Sequence, residues 1–195
     1  MESITVLNPL NISIVVKSPG FIDTDALIVG AFKYEIDEPE FLGEMKDLND
    51  GLKDSIMKYR IDGTFKGALG KPFLFETPGN TIPAKNVILI GLGKRSAFNL
   101  DKMKTVGCMA LRIAINQSFR DVAFAFQIIV ESIASFSLSE LSEAFTVGAM
   151  NEYMDQELKY GKPIKIKSFK ILINPKSEAE VIKGIEMGLA KFQQK

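Results

Sequence analysis

The segment NVILIGLG, residues 86–93, carries four consecutive aliphatic side chains, Val87 to Ile90, with no polar residue between them. A strand with one face in water alternates apolar and polar residues, whereas an unbroken run is buried on both faces. A sheet holding such strands needs helices above and below it. NISIVVKS (11–18), DALIVGAF (25–32), KPFLFETPG (71–79), DVAFAFQII (121–129) and IKSFKILIN (166–174) also read as strands. Pro19-Gly20 turns the chain between the first two.

Segments of helical period lie between these runs. Phe41, Leu42, Met45, Leu48, Leu52, Ile56 and Tyr59 recur in steps of three and four, which predicts one amphipathic helix from Pro39 to Arg60. Pro39 suits its first turn and Gly51 weakens its middle. A second helix covers 100–118, with Asn99 as N-cap and Leu100, Met103, Val106, Ala110, Leu111 and Ala114 facing inward. Ser137 and Glu140 form a capping-box pattern that opens a long helix to about Tyr160, ended by Gly161 with Pro163 beyond. A terminal helix spans 176–194. Alternating strands and helices predict an α/β fold, a mixed sheet flanked by helices. With no repeat, low-complexity tract or linker, residues 1–195 read as one domain.

Composition narrows the chemistry. The chain has no histidine and one cysteine, Cys108. Ser-His and Cys-His nucleophilic sites and histidine- or cysteine-rich zinc sites are therefore excluded. Carboxylate-bound metals and Lys, Tyr or carboxylate chemistry remain. Lys+Arg and Asp+Glu balance at 24 each, so net charge exerts no general pull toward nucleic acid or anionic membrane. No apolar run approaches the roughly 20 residues that span a bilayer. Residues 1–20 lack a basic leader and a continuous apolar core, and a single cysteine suits a reducing compartment. The expected location is the cytoplasm.

GLGKR (91–95) follows the aliphatic strand but is not a nucleotide loop. Ile88 stands where a Walker loop requires its first glycine, and Ser96 replaces the third glycine of a dinucleotide fingerprint. GALGKPF (67–73) fails likewise, with Phe65 at the first glycine and Pro72 after the lysine. The expected role of Gly91 and Gly93 is to turn the chain into a helix, leaving Lys94 and Arg95 in water. Seven acids crowd residues 35–50 (Glu35, Asp37, Glu38, Glu40, Glu44, Asp47 and Asp50), as at a solvated helix start. Lys159, Lys162, Lys165, Lys167 and Lys170 are expected to guard an edge strand. The opposite charges of these segments also permit a head-to-tail contact between subunits. Cys108 is expected as a small packing residue, since no histidine can activate it.

Asp25–Leu27 in the strand DALIVGAF, Phe65–Gly70 (FKGALG) and Ile90–Lys94 (IGLGK) together resemble, in order and spacing, the N-terminal domain of the leucyl aminopeptidase family. EAFTVGAMNEYMDQELKYGKP (143–163) is similar to a further segment of that domain, with Ala144 where glycine is usual, and EAEVIKGIEMGLAKFQQK resembles the helix leading to the catalytic domain. The resemblance implies a macro-domain-like three-layer sandwich. In that family the two-metal peptidase site lies in a C-terminal domain, in segments such as Asn-Thr-Asp-Ala-Glu-Gly-Arg that are missing here. No catalytic residue, metal ligand or cofactor is thus carried over. The implied role is a non-catalytic interaction or assembly module, partnered by itself or by a full-length aminopeptidase. One alternative is a fragment of a longer aminopeptidase. Another is a macro-type binder of a nucleotide or ADP-ribose-like molecule, with a pocket at Gly30, Gly91, Gly93 and Lys94. The acidic continuation KYEIDEPEF (33–41) opposes a diphosphate there.

Overall fold

The computed structural model describes residues 3–5, 10–33, 41–133, 135–159, 161 and 164–193. Strands β1 (Ser3–Thr5), β2 (Ile12–Val16), β3 (Ala26–Ala31), β4 (Pro72–Glu76), β5 (Asn86–Gly91), β6 (Asp121–Phe124) and β7 (Ser168–Ile173) form one sheet in the order β1-β2-β7-β6-β3-β5-β4. The five inner strands run parallel, and β1 and β4 close the edges antiparallel. The sheet is therefore mixed, as expected. The short strand β1 was not anticipated from the sequence.

The helices are α1 (Gly43–Gly51), α2 (Ser55–Ile61), α3 (Leu100–Asn116), α4 (Phe126–Ser132), α5 (Leu138–Met154) and α6 (Glu178–Gln193). Alternate residues of the strands feed two cores. Ile28, Ile88, Ile90, Phe124, Phe169 and Ile171 pack with Met103, Val106, Phe145 and Ile185 of α3, α5 and α6. Leu27, Val29, Val87, Leu89 and Leu172 pack with Met45 and Leu48 of α1, Ile56 of α2 and Leu52 between them. The result is three layers, and the aliphatic run of β5 is buried on both faces.

The expected caps are present. The Asn99 side chain accepts the Lys102 N–H, and Ser137 and Glu140 complete a reciprocal capping box at the start of α5. Ser137→Ala leaves a first-turn donor unsatisfied and is expected to cost about 1 kcal/mol. Thermal unfolding should report this as a loss of about 2–4 °C in Tm.

Four expectations are corrected. The helix proposed over 39–60 is two helices, because Lys53 and Asp54 adopt positive φ and turn the chain. Asn49 holds that turn, donating to Asp54 Oδ1 at 2.9 Å and accepting the Met57 N–H at 3.0 Å. Pro39 lies outside the described residues. The strand proposed over 121–129 ends at Phe124, and Phe126–Ser132 is helix α4. A short apolar run buried on all sides has the same composition in either conformation. The lysine-bearing strand is not an edge: β7 lies between β2 and β6. Lys170 is accommodated there by Asp121 of the neighbouring strand, at 2.7 Å. Helix α5 stops at Met154 and continues as a wider π-helical turn, Asp155–Lys159, rather than reaching Tyr160 as α-helix. Tyr160 and Pro163 lie outside the described residues.

Candidate functional site

Chain connections reverse direction between β3 and β6. The chain leaving β3 returns to the sheet on the β5 side, and the chain leaving β6 returns on the β7 side. In open α/β sheets such a switch point leaves a crevice beyond the carboxyl ends of the strands, where ligands bind. Here β6 pairs with β3 only as far as Ile28, so Val29 to Ala31 project beyond it. A cleft of about 560 Å³ opens at that place, lined among others by Gly30, Phe32, Arg60, Arg95, Ile128 and Glu131. That volume is typical of small-molecule sites.

Each lining group is positioned by a local device. Gly30 has no Cβ, so Ile129 of α4 packs directly on its backbone; an added Cβ would stand 2.7 Å from Ile129 Cδ1. Two guanidinium groups converge on Phe32. Arg60, nearly buried on α2, donates to the Phe32 carbonyl at 3.2 Å and lies over the Phe41 ring. Arg95 lies 4.6 Å over the Phe32 ring and donates to the Ser132 carbonyl at 2.6 Å. Such stacking suits the planar, weakly hydrated guanidinium.

Glu131 supplies the opposite charge. Its Oε2 accepts the Glu44 N–H at 3.2 Å, and its Oε1 accepts from Gln127 Nε2 at 3.4 Å. Gln127 is itself buried and held by Ser177 Oγ at 3.1 Å. Burial, and then the negative charges of Glu131 and Asp47, push the Glu44 carboxyl up to about 7.

Of the residues expected at a pocket, only Gly30 lines this cleft. Gly91 and Gly93 instead clamp the strand end against the segment 67–71. Gly70 N–H donates to Gly91 O at 2.8 Å, and Gly93 N–H to Gly67 O at 2.9 Å. A Cβ at Gly91 would overlap the Ala68 carbonyl, and Gly93 has φ +74°. Lys94 is exposed at the start of a short 3-10 turn, Arg95–Ala97, that carries Arg95 to the cleft. Sequence reasoning missed Arg60, Arg95 and Glu131. Lys94 and Arg95, expected in water, are both exposed, and Arg95 in addition borders the cleft.

Other candidates resolve into structure. Asp25 joins three strand starts, accepting from Lys85 Nζ at 2.8 Å and from the N–H groups of Arg120 and Asp121. Cys108 donates to Glu152 at 3.3 Å, and burial followed by that hydrogen bond pushes its thiol up to about 11. Among the described residues, no group of three or more Cys, Asp or Glu is placed to hold a metal ion. Glu35, Asp37, Glu38 and Glu40 lie outside them. No helix of the described residues is long and apolar enough to cross a membrane.

A sequence model of the N-terminal domain of the cytosol aminopeptidase family matches residues 28–162. This chain belongs to that family. The matched residues include the cleft lining and the Gly91–Gly93 clamp. A probable cytosol aminopeptidase of Roseiflexus castenholzii is 28% identical over 140 residues, which cover 72% of this chain and 25% of that protein. The chain spans about a fifth to a quarter of the length of the first curated relatives it matches. In fold it is similar to a tomato leucine aminopeptidase mutant, with TM-score 0.64 and 19% identity over 89% of this chain and 35% of that one. It is also similar to an Oceanobacillus iheyensis macrodomain mutant, with TM-score 0.70 and 10% identity over 98% of this chain and all of that one. The fold is macro-domain-like.

Proposed function

We infer that this chain is one non-catalytic domain over residues 1–195, acting as an interaction or assembly module in the cytoplasm. Its partners are further copies of itself or a full-length aminopeptidase. The observation that supports this reading is the match of residues 28–162 to the family's N-terminal domain. Phe21, Leu42, Ile61 and Leu158 are each more than 60% exposed.

Light scattering on a sizing column, with and without a co-expressed cytosol aminopeptidase, tests the reading. The expected result is a mass at a multiple of 21.6 kDa or retention of the peptidase. A 21.6 kDa species that retains no peptidase overturns it. Peptide cleavage by the pure, metal-supplied chain overturns the non-catalytic part.

A second reading makes the cleft a small-molecule site. Its position at the switch point of the sheet favours this. Nucleotides and ADP-ribose-like compounds are the macro-type candidates.

A further inference from the structure

Strand β4 ends the sheet, so one of its long edges has no neighbouring strand among the described residues. Its pairing with β5 fixes which residues face that edge. Gly91 N–H donates to the Lys71 carbonyl at 3.1 Å, and Thr77 N–H donates to the Lys85 carbonyl at 3.0 Å. Hydrogen-bonded and open pairs alternate along an antiparallel ladder. With Phe73 opposite Leu89 and Phe75 opposite Val87, the backbones of Phe73 and Phe75 therefore bond to β5. Those of Pro72, Leu74 and Glu76 point away from it. We propose that this edge pairs antiparallel with the same edge of a second copy of the chain, about a twofold axis at Leu74.

The reading of the chain as a self-associating module is the premise; the proposal names the surface. Open strand edges are templates for the addition of another strand, and a twofold dimer brings the same patch of each copy together. Leu74 is the middle residue of β4. When it faces the partner's Leu74, each donates its N–H to the other's carbonyl. Each Glu76 N–H then reaches the partner's Pro72 carbonyl. Pro72 has no N–H to offer, and in this register that loss falls at the ends of the ladder rather than at its centre.

Side chains and charges fit the same register. Phe73 falls opposite the partner's Phe75 in an open pair, where side chains approach most closely. Both rings already belong to an aromatic cluster, with the Tyr59 ring centre 4.9 Å from that of Phe73 and 5.1 Å from that of Phe75. Aromatic pairs across strands stabilise such ladders. On the other face, Leu74 meets the partner's Leu74. Lys71 and Glu76 are exposed at opposite ends of the strand. Antiparallel pairing thus sets Lys71 of each copy at the end where the partner's Glu76 stands. A register with Leu74 opposite Glu76 would instead bring the two Glu76 carboxylates within two residues, roughly 7 Å along the strand, and like charges oppose it. The other edge strand, β1, has three residues and offers a shorter ladder.

Light scattering of the full chain over a concentration series tests the proposal. The parent is expected at twice 21.6 kDa. Leu74→Pro removes an outward N–H from each copy and keeps the bonds to β5. It should weaken the dimer at least about tenfold. Glu76→Lys should weaken it about threefold or more, and adding Lys71→Glu to that variant should restore the parent's affinity. Both charged positions are exposed, so the charge exchange decides the matter if Leu74→Pro unfolds. An oligomer whose affinity none of these variants changes overturns the β4 pairing and leaves self-association standing. A parent that stays at 21.6 kDa at every concentration overturns the pairing, and the module reading then stands only if the chain retains a full-length aminopeptidase.

Discussion

Gly148→Ala is expected to lower the melting temperature by roughly 10 °C, through a stability loss of about 3 kcal/mol or more. Gly148 on α5 faces Lys104 on α3, and a Cβ there would overlap the Lys104 carbonyl oxygen. The contact is reciprocal, since a Cβ at Gly107 of α3 would overlap the Phe145 carbonyl of α5. Two helix backbones therefore meet directly, and neither side can yield by rotating a side chain. Relief requires α3 and α5 to move apart, which loosens Met103, Val106 and Phe145 from the larger core. Core packing is dense enough for such a shift to be felt throughout the layer. Gly20→Ala is the control: no atom lies within 4 Å of its added Cβ, and its Tm should stay within about 2 °C of the parent. Calorimetric or circular-dichroism melts of the three proteins decide the matter. A Gly148→Ala protein that melts like the parent would sink the account of this helix crossing.

Arg112→Met is the second large effect expected, with a loss of about 3 kcal/mol at neutral pH. Glu152 on α5 is 1% exposed and receives Arg112 of α3 twice, Nε at 3.0 Å and Nη2 at 2.5 Å. Burial acts to raise the Glu152 pKa, but hydrogen bonds from Arg112, Gln156 and Cys108 outweigh it, and the net shift is downward. The figure is set at the lower end of the range for buried pairs because Arg112 itself is 44% exposed and partly screened by water.

The pH dependence follows from that downward shift. A carboxyl with a depressed folded pKa stabilises the protein above its ordinary value of 4.5, and this contribution fades as pH falls through the folded value. In Arg112→Met the balance tips toward burial, the folded pKa rises above the unfolded one, and the sign reverses. The variant should then gain stability on acidification through that raised value, where the parent holds steady or loses it. Urea unfolding at several pH values between 4 and 8 reads the difference directly. Parallel stability curves for the two proteins would rule out the pair as the source.

The legible parts of this protein are those whose signal is local. The capping box at Ser137 and Glu140 is visible within four residues, and the structure contains it. The stripe Met103, Val106, Ala110, Leu111 and Ala114 has helical period and is buried as that period requires. The aliphatic run of β5 demanded cover on both faces, and α1 and α2 lie on one face, α3 and α5 on the other. The break at Lys53 and Asp54 was not legible, because it depends on Asn49 reaching across the turn to Met57 rather than on any loss of apolar spacing. Helix α4 was not legible either, since Phe126, Ile128 and Ile129 are apolar enough for a buried strand.

The candidate site was the least legible part. Gly30 could be nominated because it lies near the end of β3. Arg60, Arg95 and Glu131 lie on three separate segments, and nothing near any of them announces the other two. The same limit explains the lysines of 159–170: a charged strand suits an edge by composition, but Asp121, far away in the chain, gives Lys170 a partner inside the sheet.

The sequence by itself determined an α/β chain with doubly covered strands, capped helices, no histidine chemistry and the landmarks of a cytosol aminopeptidase N-terminal domain. Period, capping and composition act over a few residues and survive without the fold. Only the tertiary structure decided the strand order, the place of β7 within the sheet and the gathering of two arginines and a glutamate around one cleft. Those outcomes rest on pairings between distant segments, whose energies depend on the assembled neighbours and leave no mark on the residues beside them.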